Sequence, residues 1–289
     1  MRRNIASEPA SLDVQRFDRK QLAGDDPAGP FRENAFFEAC AKLFNTPIDM
    51  LIEGARQHIP SFTPDLADFL VEQLLEPLQK LAGKLQEETG VVPDLAFYIG
   101  PGAPDGHAVL LNGRPVVFYD LTAAKDRKDR VDWESYATHE YLHGIHYALR
   151  PTFYPGDYAD PEDVFFKRLA AEGAVTHLTK ALTGATPAAI YWFNLLDERL
   201  TLQWIETAQR FRRSAGFNLQ KAILEDRVDV ALHTRLFSSA ASMHLHESRL
   251  GYYYGAQVAR ELDKGRGAAA LLQLPYRDWR RAILSYFDS

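Results

Sequence analysis

Apolar residues recur along this chain with two different periods, and the change between them divides it. Leu66, Phe69, Leu70, Leu74, Leu78, Leu81 and Leu85 follow one another at spacings of three and four, up to Gly90. That spacing draws an apolar stripe down one face of an α-helix. Thr63 before Pro64 makes an N-cap followed by a first-turn proline, and Gly90 is a stop. Pro77 should kink the helix. Two shorter helical segments precede it, over 34–43 and 48–58. Residues 1–30, with Asp25-Asp26-Pro27 and Gly29-Pro30, read as a loosely ordered polar arm.

After Gly90 the period shortens. Leu95 to Ile99 reads as a strand, followed by a Gly/Pro-rich loop over 100–106. His107 to Leu111 and Val116 to Leu121 flank Asn112-Gly113, the strongest short hairpin signal. Pro115 puts the second run at an edge or at a strand start. From Asp132 helical spacing returns, predicting helices at about 133–149, 161–182, 187–212, 217–235, 249–263 and 276–287. The expected fold class is α+β, predominantly helical, with a small antiparallel sheet directly before the helix at 133–149. Two regions follow: an N-terminal arm and helical layer over 1–89, and a second domain over 90–289. An edge strand of that sheet could hold an extended peptide by strand addition.

The helix at 133–149 carries His139-Glu140-Tyr141-Leu142-His143. Histidines four residues apart sit one above the other on the same helix face, so their ring nitrogens can converge on one metal ion. Glu140 lies about 100° further round. It is poorly placed as a ligand and well placed to reach a water at that metal. This is the H-E-x-x-H pattern of zinc hydrolases, two ligands and one general base. Asp132 as N-cap, Glu134 in the first turn and Arg150-Pro151 as the stop place the motif in mid-helix. Trp133, Tyr136, Leu142, Ile145 and Leu149 make the segment apolar enough to be buried, and buried histidines need partners.

A catalytic zinc site needs a third protein ligand. The extended metzincin pattern is excluded, because no histidine stands at the required distance after His143. His146 shares the face of His143 but lies two turns from His139, and is read as a neighbour of the site or a pocket wall. Glu172 is the better candidate. Asp160-Pro161 starts its helix, and Glu172 falls on the apolar face of Phe165, Leu169 and Thr176. A carboxylate there is costly unless paired, and a metal would pair it. Glu162, Asp163 and His177 compete as its neighbours. Ala170, Ala171, Gly173 and Ala174 are small enough to let this helix approach another closely.

With these pieces in hand, the chain resembles the gluzincins, the thermolysin-like zinc peptidases whose third ligand is a glutamate on the helix after H-E-x-x-H. More narrowly it is similar to a family of predicted bacterial Zn-dependent proteases. His139-Glu140-Tyr141-Leu142-His143, Ala171-Glu172-Gly173-Ala174 and Arg249-Leu250-Gly251-Tyr252-Tyr253-Tyr254-Gly255 carry the likeness, in that order, over residues 90–289. It implies a zincin catalytic domain, one Zn2+ per chain held by His139, His143 and Glu172, and a peptide or protein substrate. Glu140 is then the general base. Tyr252 is the expected donor to the developing oxyanion, with Arg249 assisting or orienting it, and His244 and His246 as rivals. One position departs from the pattern: Thr176 stands where such enzymes often carry a carboxylate that orients a zinc-bound histidine. Other readings keep the same ligands: a hydrolase of a non-peptide substrate, or a binding protein retaining the zinc site.

Composition narrows the partners. A formal net charge of -6 gives no electrostatic reason to expect nucleic acid or an anionic membrane. The single Cys40 excludes an intramolecular disulfide and leaves zinc to His and carboxylate. No apolar run approaches transmembrane length, and no apolar stretch follows Arg2-Arg3, so a cytoplasmic protein is expected. Oligomeric state is open.

Overall fold

Thr63 starts the long N-terminal helix as its spacing requires, its hydroxyl accepting from the Leu66 N–H at 3.2 Å. The computed structural model describes residues 12–24, 29, 31, 34–102, 106–238 and 247–289. Within them the chain is predominantly helical and divides into two units, Met1–Lys128 and Asp129–Ser289.

The first unit holds β1 (Val14–Arg16), α1 (Phe17–Ala23), α2 (Ala35–Leu43), α3 (Ile48–His58) and α4 (Pro64–Thr89). Three further strands, β2 (Asp94–Tyr98), β3 (Gly106–Leu111) and β4 (Arg114–Asp120), lead to α5 (Leu121–Arg127). Helix α4 runs across Pro77 and stops at Gly90, whose φ of 72° only glycine adopts without strain. Its buried face holds Leu70, Leu74, Leu78 and Leu85 as expected. Ala67, Val71 and Ala82 complete it, and Phe69 is 46% exposed instead.

The sheet is mixed, not antiparallel. Its order is β1-β2-β4-β3, with β2 parallel to both neighbours and only β3 antiparallel to β4. The physical reason lies in which strand pairs with β2: parallel pairing joins strands that are not linked by a tight turn. Strand β4, not β3, takes the place beside β2, and the β3–β4 hairpin puts β3 at the edge. Asn112 and Gly113 make the tight turn, both with positive φ, 52° and 80°. The edges are β1 and β3.

Strand β1 also corrects the arm. Val14-Gln15-Arg16 is too short and polar to announce a strand, yet it pairs with Leu95, Ala96 and Phe97. Gln21 of α1 then exchanges two 2.8 Å hydrogen bonds with the backbone of Ile99, as a strand would. These bonds tie residues before 30 to the sheet. The expected boundary after residue 89 therefore falls inside the first unit, and the division comes after Lys128. An aromatic cluster of Phe17, Phe31, Phe36, Phe37, Tyr98 and Phe118 fills this unit's core.

The second unit is built round α6 (Trp133–Leu149). Asp132 caps it, accepting from Ser135 N–H at 2.8 Å, and every residue from Ser135 to Tyr147 is buried. A π-helical turn, Asp163–Lys167, runs directly into α7 (Arg168–Thr183). Such turns are rare and concentrate near functional positions. Five helices precede the C-terminal one: α8 (Pro187–Trp192), α9 (Glu198–Leu224), α10 (Val230–Phe237), α11 (Leu250–Asp263) and α12 (Ala268–Leu272). The last is α13 (Tyr276–Asp288).

The expected helix over 187–212 breaks after Trp192. Phe193 and Asn194 take left-handed φ values of 50° and 65°, and Asp197 caps a new helix by accepting from Leu200 N–H at 2.7 Å. That helix then runs through Gly216, where the spacing predicts a break. Gly216 serves packing: a Cβ there would lie 2.6 Å from the Phe287 Cβ of α13.

Candidate metal centre

Two elements bring the candidate ligands together. Helix α6 presents His139 and His143 one turn apart, with ring centroids 4.9 Å apart and planes at 78°. Helix α7 brings Glu172. Its Oε2 lies 3.4 Å from His139 Nε2 and 3.2 Å from His143 Nε2. One ligand atom from each of the three residues lies within 4.8 Å of the others. All three are buried, at 2%, 1% and 3% exposure.

Why α7 can come so close is written in its small residues. A Cβ on Gly173 would stand 2.2 Å from the Gly255 carbonyl carbon, and one on Gly255 2.3 Å from the Leu169 oxygen. Helices α7 and α11 thus touch backbone to backbone at the residue after Glu172. Gly251, one turn before Gly255, meets Phe237 and the Leu236 oxygen in the same way. The glycines of the Arg249–Gly255 segment are packing residues. Tyr252, between them, stands at the site.

Protonation favours cation binding. Burial pushes His139 down to about 4, outweighing the Glu172 carboxylate that favours its charged form. Burial opposes ionisation of Glu172, but His143, His139 and Arg168 hold it well below the usual carboxylate range. Neutral imidazole and ionised carboxylate are the forms a metal requires. His139 Nδ1, Ser135 Oγ and Thr138 Oγ1 are buried on α6 without a hydrogen-bond partner among the described residues. Buried polar atoms left so usually mark an ion or water site. Two imidazoles and a carboxylate are the donor set of catalytic zinc, so the residues fit the metal.

Aromatic rings wall the cluster. Tyr252 stacks on His139 with centroids 6.0 Å apart, and Phe193 meets the same ring edge-on at 5.4 Å. Tyr147 stacks on His143 at 5.4 Å. Glu140, the residue between the ligands, is 6% exposed, and its charge together with that of Glu172 is felt at Tyr252. Burial first, then Glu172, push the Tyr252 hydroxyl far above its usual range, so it stays protonated and able to donate. Arg249 lies over the Tyr252 ring face at 3.9 Å and between Trp192 and Phe193, each at 5.5 Å. Its φ is 55°, left-handed like that of Phe193. Two residues in strained backbone therefore face one site.

Of the remaining expectations, His146 is fully buried against Phe153, at 4.7 Å between rings, and outside the ligand cluster. Glu162 accepts from Tyr276 and Arg280, Asp163 pairs with Lys167, and His177 with Asp263, so none of them competes for Glu172. Thr176 is buried with its hydroxyl unpartnered among the described residues. His244 and His246 lie outside the described residues.

Sequence reasoning missed Arg168, Tyr147 and Phe193. Arg168 stands 3.8 Å from Glu172 Oε1, the oxygen turned away from the histidines, and its guanidinium donates to His233 Nε2 at 3.1 Å. Arg168 precedes Glu172 by four residues and Tyr147 follows His143 by four. Helical spacing from an assumed ligand is the signal that could have found both. Phe193 had none, because its place depends on a left-handed turn.

No family model matches the chain, and comparison with curated proteins and with solved structures finds no match.

Proposed function

We propose that this protein is a zinc-dependent hydrolase, and that its substrate is a peptide bond. One observation carries the reading: His139, His143 and Glu172 converge in a buried cluster, with Glu140 next to the first ligand on the same helix. His139 Nε2, His143 Nε2 and Glu172 Oε2 would hold the metal. Zinc bound there would supply a Lewis acid and make water a nucleophile near neutral pH.

The chain's own groups divide the remaining work. Glu140 accepts the attacking water's proton and hands it to the leaving amine. It can do so because it is not consumed as a ligand. Tyr252, protonated and stacked on His139, donates to the oxygen on which charge develops. Arg249 over its ring favours any partial negative charge the phenol takes up. Arg168, 3.8 Å from Glu172 Oε1, places positive charge beside that oxygen and favours the ionised carboxylate. Tyr147, Phe193 and Tyr252 keep the surroundings apolar, which strengthens each of these interactions.

The test is digestion of a diverse peptide library by zinc-loaded protein, read by mass spectrometry beside Glu140→Gln. Cuts made only by the intact protein, with zinc retained in both, are the expected result. No cuts with one zinc per chain would remove peptide hydrolysis and leave a non-peptide substrate or a binding role.

A further inference from the structure

Helices α9, α11 and α13 line an open cavity of about 520 Å³ whose charge is unlike that of the chain as a whole. Arg210, Arg212, Arg213 and Arg260 line it with Tyr253 and Tyr286, and no Asp or Glu is among its lining residues. The chain itself carries a formal net charge of -6. Arg210, Arg212 and Arg213 have no carboxylate partner among the described residues. Arg260 has one, Glu261 at 3.6 Å, with both side chains exposed. Like charges three apart on a helix, as at Arg210 and Arg213, oppose helix stability by a few tenths of a kcal/mol. Neither side chain is spent on an ion pair among the described residues, which leaves both guanidinium groups open to a ligand.

The walls are already held in place. Gln209 donates to the Tyr253 hydroxyl at 3.0 Å, and the Arg212 guanidinium lies over the Tyr286 ring at 5.2 Å. An adjoining cavity of about 780 Å³ shares Arg212, Arg260 and Tyr286 and adds Lys264, Arg266 and Arg281, against Glu261 and Asp278. The smaller cavity is therefore the one whose charged lining is all positive.

We infer that this cavity is a binding site for a small ligand carrying a diphosphate or a comparable compact phosphate group. Guanidinium forks match phosphate oxygens two at a time. Several of them round one small volume call for a ligand that concentrates several negative charges. An acidic peptide spreads its charges at about 3.3–3.6 Å per residue along an extended chain and matches the volume less well.

The experiment is calorimetric titration of inorganic pyrophosphate into the full chain, stripped of metal by chelation so that the His139–His143–Glu172 cluster cannot bind the probe through zinc. One saturable site is expected. The Arg210→Gln/Arg213→Gln double variant, altered only at exposed side chains, should bind more than about tenfold more weakly while keeping its unfolding temperature. Lysine at the same two positions should restore part of the affinity, since charge returns without the fork. Three results overturn the proposal: no saturable binding, equal binding by the double variant, or a hexaglutamate peptide binding as tightly as pyrophosphate. None of them bears on peptide hydrolysis, which is read separately.

Discussion

His143 and Glu172, 29 residues apart in sequence, meet with Nε2 and Oε2 3.2 Å apart in a site from which solvent is nearly excluded. A bare His–carboxylate pair there is costly to bury, and His139 at 3.4 Å from the same oxygen adds a second imidazole to one acceptor. One oxygen facing two imidazole nitrogens is the arrangement a shared cation resolves.

Glu172→Gln should therefore lower zinc affinity by more than about a hundredfold, since even groups that only orient metal ligands contribute 10–100-fold. Competition with a chelator of known affinity measures it. Unchanged affinity would remove Glu172 from the ligand set while leaving the two histidines.

Tyr252→Phe separates the oxyanion role from packing. The ring on His139 remains, and only the hydroxyl goes. The expected result is a fall in kcat of about 10²–10³ with zinc content unchanged and KM little altered. A proportional loss of zinc would instead make Tyr252 a support for His139.

Gly173→Ala tests whether the contact between α7 and α11 sets the site. Its Cβ would fall 2.2 Å from backbone atoms of Gly255, which cannot rotate away. Overpacking of this kind costs about 1–3 kcal/mol or more, and the strain would move Glu172, the adjacent residue. Urea unfolding should register the first effect and zinc affinity the second. A variant as stable as the parent with full zinc affinity would show that the helices can separate harmlessly.

Acid should destabilise the metal-free protein through His146. Burial first, then the neighbouring His143 and Arg150, push this imidazole down to about 3. Its folded value is below its unfolded value near 6.5, so the unfolded chain binds the extra proton. Stability is fully present above the unfolded value and is lost as pH falls from there toward the folded one. Between pH 7 and pH 5 the loss is about 2 kcal/mol. His139 adds to it in the same sense. Unfolding curves at the two pH values should show a drop smaller by that amount in His146→Gln. Equal drops would mean that His146 finds a proton acceptor in the folded state.

Local chemistry is legible in the order of residues alone. The cap at Asp132, the spacing of His139 and His143, the stop at Gly90 and the Asn112-Gly113 turn rest on interactions within a few residues. They depend on the identities of neighbours, which a sequence states outright. The partner of the two histidines is legible too, because a carboxylate at Glu172 on an apolar helix face asks for one.

Only the tertiary structure decided the rest, and for one physical reason: long-range pairing is stabilised by many weak contacts that no short segment announces. Val14-Gln15-Arg16 becomes a strand because β2 offers a free edge, and β4 lies inside β3 because it is β4 that pairs with β2. Gly216 looks like a helix breaker in sequence, yet it sits where another element comes within van der Waals contact. Phe193 joins the site through packing alone. The sequence by itself thus determined the helix α6 and the spacing of the candidate ligands on it. Tertiary packing determined which strands pair, where the chain divides and which side chains surround the candidate ligands, because those outcomes are set by surfaces that exist only once the elements have met.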